Sequence, residues 1–514
     1  MESGEYGQVA RRLAEYGRDV LERAETRFEQ RPSDEQATYY RLIDNLRTAL
    51  DWAFSPDGDA SIGVALTTAA VPLWMHLSLL KECRSRVEQA LAAMEVGTDP
   101  DAPREMKLHA ALGASLVHTH DLKDAVPGAG AAWTRAFEIA ESLDDAEYRL
   151  VSLWGLWFFH LASSRHRVAL ELAERFRAVA ANGPDPNYRL VGEPMIAASQ
   201  YHLGDHTSAR RHLERVLVEY VTPDYTSPFF RFLFRPHVAA RVLLAWILWL
   251  EGFPDQAIRA AENSVDEARA ANHVLSLCYA LTQAACPIAL LVADLATAES
   301  HLRMLVDQST GHSLPLWAAL GRCDWGVLLI KRGDLDAGLR LLRAGYDEVG
   351  EGRVDWRLAT FRYAMVAGEA WARTGKISDA LVLIEEAIDH SERIEERCGF
   401  AELLRVKGKL LLLQGGSGAA ATAEDHFRQA LDWARRQGAL SWELRAATSA
   451  IRAVPPMPWR SSSPSTTGSP RASTRPTSRR QRLFSKLCQS QQPPGRNRDS
   501  PRYPTMSPGS AARL

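Results

Sequence analysis

The chain has 514 residues, of which 46% are hydrophobic and 24% charged, and a formal net charge of −2. That is the balance of a protein that meets water, with no overall bias toward nucleic acid or a membrane surface. The length exceeds one ordinary core and leaves either several domains or an elongated array. Six cysteines (Cys83, Cys278, Cys286, Cys323, Cys398 and Cys488) are scattered without a CxxC pair. This suits buried thiols in a reducing, cytoplasmic setting and not a disulfide frame or a zinc site.

At the N-terminus, "MESGEYGQVARRLAEYGRD" is charged and lacks the apolar core of a secretion signal. In "YYRLIDNLRTALDWAFSPDGD", Leu46, Leu50 and Trp52 fall where a capping helix would dock. Two uncharged stretches, 60–80 and 274–293, are long enough to cross a bilayer. Thr67, Thr68, Pro72 and His76 dilute the first, and Thr282, Gln283 and Pro287 the second. Both are rich in small residues and read as helices buried between neighbouring helices.

From residue 160 onward a helix-breaking position recurs with an alanine five residues later. Ser164 pairs with Ala169, Gly204 with Ala209, Gly252 with Ala257, Ala293 with Ala298 and Gly375 with Ala380, while Gly333 has Ala337 and Gly338 at that place. Weaker members sit near Asp124 and Ala129 and near Gly416 and Ala421. Successive spacings are 40, 40, 48, 41, 40, 42 and 41 residues. A glycine in the left-handed conformation closes a helix, and a neighbouring Asp, Ser or Pro starts the next. The alanine then marks a close approach of two helices. A hairpin of about 40 residues cannot bury its own apolar face and must stack on its neighbours. The expected fold is therefore all-α: a right-handed superhelical solenoid of antiparallel helix hairpins. The long spacing holds "VTPDYTSPFFRFLFRPH", read as an enlarged loop.

These hairpins resemble tetratricopeptide repeats in a longer-helix variant. The segment Ile43, Asp44, Asn45, Leu46, Arg47, Ala49, Leu50 and Trp52 resembles the "DNLRAALxW" stretch of STAND-class signal-transduction ATPases. In that family it follows the nucleotide-binding and winged-helix parts. The resemblance implies a sensor region that binds an inducer or a partner and releases an inhibited ATPase. No GxxxxGK[ST] occurs in the sequence, and "RTGKIS" and "VKGKLL" lack the glycine spacing and the hydroxyl that hold phosphate and magnesium. The chain therefore resembles the sensor half alone, as a truncated gene, a split gene or a stand-alone module. The expected organisation is N-terminal linking helices over 1–59, the solenoid over 60–450 and a tail over 451–514.

The tail holds 12 Lys or Arg and one acidic residue, Asp499. It is rich in Pro and Ser and cannot bury a core, so disorder is expected. It reads as an out-of-frame extension, as a flexible basic arm contacting nucleic acid or an acidic surface, or as a structured partner site.

No constellation calls for catalysis: HExxH, GxSxG and a Rossmann glycine set are all missing from the sequence. The chain is read as a non-enzyme with no cofactor and no metal. His202, His206 and His212 flank one hairpin turn, where Gly204 breaks any i, i+4 pairing, and read as solvated turn residues. Glu385-Glu386 and Glu395-Glu396 read as solvated carboxylates. Aromatic clusters are the candidate partner- or ligand-binding residues: Trp154 and Trp157, beside Phe158 and Phe159, in "WGLWFFH", and Phe229, Phe230, Arg231, Phe232 and Arg235, beside Phe234, in "SPFFRFLFRPH". Gly204, Gly252, Gly333 and Gly375 are turn-structural. The expected function is a repeat scaffold that holds a protein partner or small-molecule inducer in its groove. It has no direct DNA contact through the repeats and no membrane role, and an ATPase/winged-helix partner lies on a separate chain. The alternative is a stand-alone adaptor assembling partner proteins.

Overall fold

A computed structural model describes residues 2–24, 36–96, 101–118, 122–182, 187–220, 234–350 and 360–453. Among these every regular element is helical: α1 (Glu2–Ala24), α2 (Gln36–Ala53), α3 (Ala60–His76), α4 (Leu80–Val96), α5 (Ala102–His118), α6 (Leu122–Ser142), α7 (Ala146–Ala162), α8 (His166–Ala180), α9 (Asn187–His202), α10 (His206–Glu219), α11 (Pro236–Leu250) and α12 (Pro254–Ala270). The series continues with α13 (Val274–Ala280), a π-helical turn (Leu281–Ala285) running into α14 (Cys286–Leu291), then α15 (Leu295–Gly311), α16 (Pro315–Arg332), α17 (Leu335–Gly350), α18 (Thr360–Arg373), α19 (Ile377–Arg393), α20 (Phe400–Gln414), α21 (Ala419–Arg436) and α22 (Leu440–Ala453).

The turns follow the register of the sequence. Ser164, Gly204, Gly252, Ala293, Gly333 and Gly375 all take positive φ, from 56° to 99°. At Gly252 the Gly252 N–H donates to Trp249 O and the Phe253 N–H to Leu248 O, which closes α11 with the paired bonds of a left-handed cap. Asp205, Asp294 and Asp334 then cap the following helices by accepting the N–H of Ser208, Thr297 and Ala337. The alanines five residues on, Ala169, Ala209, Ala257, Ala298 and Ala380, are fully buried. Gly338 meets Gly326 so closely that a Cβ on it would lie 2.8 Å from the Gly326 carbonyl.

Two members need correction. Asp124 lies inside α6, which begins at Leu122, and residues 119–121 lie outside the described residues. In the last hairpin Gly418 precedes the helix with φ 84°, and the buried alanine is Ala423, while Ala421 is exposed. The register there is two residues later than Gly416–Ala421.

Consecutive first helices touch one another along the array (α5 on α7, α7 on α9, α9 on α11, α16 on α18, α18 on α20), and each second helix packs between two of them. The first helices therefore form the inner wall of the curve. α13 to α14 belongs to that wall. Over Val274–Leu291 it is long and apolar enough to span a membrane, yet 78% of it is buried inside the protein. At the other end α1 and α2 pack on α3, with Leu46, Leu50 and Trp52 buried, so the linking helices share the solenoid's core. Arg47 reaches across to Glu82 with two bonds, at 2.9 and 2.7 Å.

Candidate functional site

The array does not stay open. The first helices curve so tightly that the turns after α19 and α21 meet the turns before α8 and α10. The Arg397 N–H donates to His202 O at 2.7 Å. Arg167 forms a forked pair with Glu395. Ser441 Oγ donates to Trp249 O at 2.5 Å, and Trp249 meets the Trp442 ring edge-on at 4.8 Å. These partners are about 190 to 230 residues apart in the chain. They form a seam that closes the groove into a ring.

At the centre of the seam lie His166, His202 and Glu396. Oε2 of Glu396 is 2.8 Å from Nδ1 of His202 and 3.2 Å from Nε2 of His166, and the two imidazoles stack at 4.8 Å. Burial alone would raise the Glu396 carboxyl, but the facing imidazoles outweigh it and hold the group well below the usual carboxylate range. Burial lowers His202 in turn. The sequence expectation of solvated histidines fails at two of the three positions. His202 and His206 are buried, His206 with its pKa pushed down to about 4 by that burial. His212 pairs with Glu193, itself buried. Glu396 is likewise no solvated carboxylate. The reason is non-local: these turns look exposed within one hairpin and are covered by hairpins some five repeats away.

Inside the ring, next to the seam, is an aromatic cavity of about 120 Å3. Trp154 and Trp157 from α7 line it, together with Phe158, Phe234, Tyr279 and Trp317. Phe234 is the hub: it stacks on Tyr279 at 4.3 Å and meets Phe158 and Trp317 edge-on at 6.0 and 6.2 Å. Trp154 stacks on Phe158 at 5.5 Å, and Trp157 is pinned by its indole N–H on Ser199 Oγ at 3.1 Å.

The far wall is shaped by a proline. Pro287 has no N–H, so the carbonyl of Gln283 loses its helical partner. The helix widens into the π turn Leu281–Ala285, and the Trp246 indole N–H takes the orphaned Gln283 carbonyl at 2.5 Å. Among the described residues, Arg362 supplies the one guanidinium of the lining. It is neutralised by Asp324 at 3.4 Å, bonds Tyr363 Oη at 3.1 Å and lies over the Trp246 ring. Burial raises the Asp324 carboxyl.

Of the candidate binding residues, Trp154 and Trp157 are brought together in this wall. Phe229, Phe230, Arg231 and Phe232 lie outside the described residues. Arg235 sits just before α11, where its backbone N–H donates to Ser276 Oγ at 3.0 Å; it is not itself a lining residue, though Phe234 and Pro236 on either side of it are. Tyr279, Trp317 and Arg362 escaped sequence reasoning. Their only signal is a place on the inner face of a first helix.

No protein-family profile matches the chain, and no curated protein matches it in sequence. Solved structures match the helix arrangement. A Rap protein complexed with competence and sporulation factor superposes with a TM-score of 0.51 at 12% identity, covering 73% of this chain and 98% of that one. The fold is a tetratricopeptide-type solenoid. A Rap conjugation gene regulator of plasmid pLS20 in complex with the Phr* peptide gives 0.43 at 10% identity, covering 72% and 96%. A STAND protein with a tetratricopeptide repeat sensor from Pyrococcus horikoshii gives 0.38 at 8% identity, covering 70% of this chain and 55% of that one.

Proposed function

We propose that the protein is a non-catalytic binding scaffold whose ring takes an aromatic or apolar group of a peptide or partner protein, as the sensor half of a STAND-type regulator. The observation that carries this reading is the aromatic cavity itself, with eight Trp, Tyr and Phe rings lining one space on the inner wall. A space of this size suits one ring, since an apolar cavity of about 150 Å3 takes benzene. Sequestering such a ring stabilises a complex by about 2 to 3 kcal/mol before the costs of association. The neighbouring polar groups, Gln283 and the Arg362–Asp324 pair, orient the guest's polar atoms.

The test is selection from a displayed random-peptide library on the full chain. Selected peptides should carry an aromatic anchor and lose at least tenfold in affinity against Ala198→Trp, which fills the cavity from α9. Aromatic-free peptides, or peptides indifferent to that substitution, overturn the reading.

A further inference from the structure

The seam contains a second site that the binding reading does not use. We propose that His166, His202 and Glu396 bind a divalent transition metal of the zinc class, which staples the ring shut. Two imidazole nitrogens and one carboxylate oxygen are a donor set that zinc accepts, with a fourth position left for water or a guest. All three donor atoms lie within 4.8 Å of one another, and all three side chains are buried. A tetrahedral ion with bonds of about 2.0 to 2.1 Å holds its donors about 3.3 Å apart. The Glu396 oxygen, at 2.8 and 3.2 Å from the two imidazole nitrogens, is close to that edge; the nitrogens lie within 4.8 Å of each other, and the stacked rings must turn for both to face one ion.

The backbone is already held in place. The Arg397 N–H on His202 O and the Arg167–Glu395 pair fix the two sides of the seam on either side of the donors. The second carboxylate oxygen, Oε1, accepts the Cys398 N–H at 3.4 Å, which orients Glu396 toward the imidazoles. His202 also lines the aromatic cavity, so an ion has an approach from inside the ring. The site exists only when the ring is closed, because its donors come from opposite sides of the seam. Metal binding and ring closure are then one equilibrium.

The experiment uses the full chain, stripped with chelator and titrated with Co2+ as a spectroscopic probe. The expected result is saturation at one ion per chain, with the strong visible bands of a four-coordinate site that Zn2+ abolishes by displacement. Loading should raise the midpoint of thermal unfolding. His202→Asn and Glu396→Gln should each weaken binding by more than about 100-fold. If these variants fail to fold, the wild-type titration decides alone. No saturable one-to-one spectrum, or a pale six-coordinate spectrum, overturns the site and leaves a hydrogen-bonded clasp only. So does a four-coordinate spectrum that folded Glu396→Gln retains.

Discussion

Gly204 and Gly375 occupy equivalent turns and differ in one respect, which makes the seam measurable. Both take the left-handed conformation, with φ of 88° and 86°. A Cβ on Gly375 meets nothing within 4 Å, whereas a Cβ on Gly204 meets Gln437 Nε2 at 2.5 Å and Arg397 Cβ at 3.0 Å. Alanine at either place incurs the left-handed backbone cost of roughly 1 to 2 kcal/mol. At Gly204 it also overpacks the seam, for about 1 to 3 kcal/mol more. Gly204→Ala should therefore lower stability by about 2 to 5 kcal/mol and Gly375→Ala by about 1 to 2. Gly333→Ala is a second control, since its Cβ also meets open space. Urea denaturation gives the totals, and amide exchange gives the location. Only Gly204→Ala should speed exchange at Arg397, whose N–H crosses the seam. Adding Gln437→Ala should recover part of the excess, because it removes the nearest clashing atoms. Equal losses for all three glycine variants, with Arg397 exchange unchanged, would show that the ring is not closed in solution.

Three further outcomes follow from the same contacts. Ala293 holds a φ of 62° that glycine adopts without strain, so Ala293→Gly should stabilise the chain by up to about 1 kcal/mol in urea denaturation. Gly155 lies against the buried Trp133 ring so closely that a Cβ would fall 2.1 Å from it, and Gly155→Ala should cost about 1 to 3 kcal/mol and disturb Trp133 fluorescence. Glu402 is buried against Arg405 and Arg445. Burial opposes its ionisation, but the two guanidinium charges prevail and lower its pKa. A depressed carboxyl contributes stability above the unfolded pKa of about 4.3 that is lost as pH falls through the folded value. Thermal midpoints should therefore drop below about pH 4, and Glu402→Gln should flatten that slope while lowering stability at neutral pH.

What could be read from the sequence was mostly what is set within one hairpin. Six turn positions were legible because a left-handed cap and a capping Asp leave a local signature, and the buried alanines followed from them. The last hairpin slipped by two residues because "QGGSGAA" offers three glycines, and only packing selects Gly418. Trp154, Trp157, Phe158 and Phe234 were legible as members of aromatic clusters, but Tyr279 and Trp317, which complete the cavity, look like ordinary core residues. His202, His206 and Glu396 were misread for one reason. Their burial depends on how many hairpins complete a turn of the superhelix, and the turn angle accumulates from many small packing choices that no single repeat records.

The cavity and the seam are not independent features, because two helices serve both. α9 lines the cavity with Met195 and Ala198 and ends in His202, which holds Glu396. α11 lines it with Trp246 and ends in Trp249, which carries Trp442 and Ser441. Helices move as rigid bodies on the scale of their side-chain packing. A guest that separates α9 from α11 must therefore shift their C-terminal ends, where the seam contacts are made. A guest that fits between them without strain instead braces those contacts. Closure and occupancy share a coupling free energy, and linkage makes it reciprocal. A substitution that opens the seam, such as Gly204→Ala, must change the affinity of any cavity ligand by the same factor by which that ligand changes the opening equilibrium.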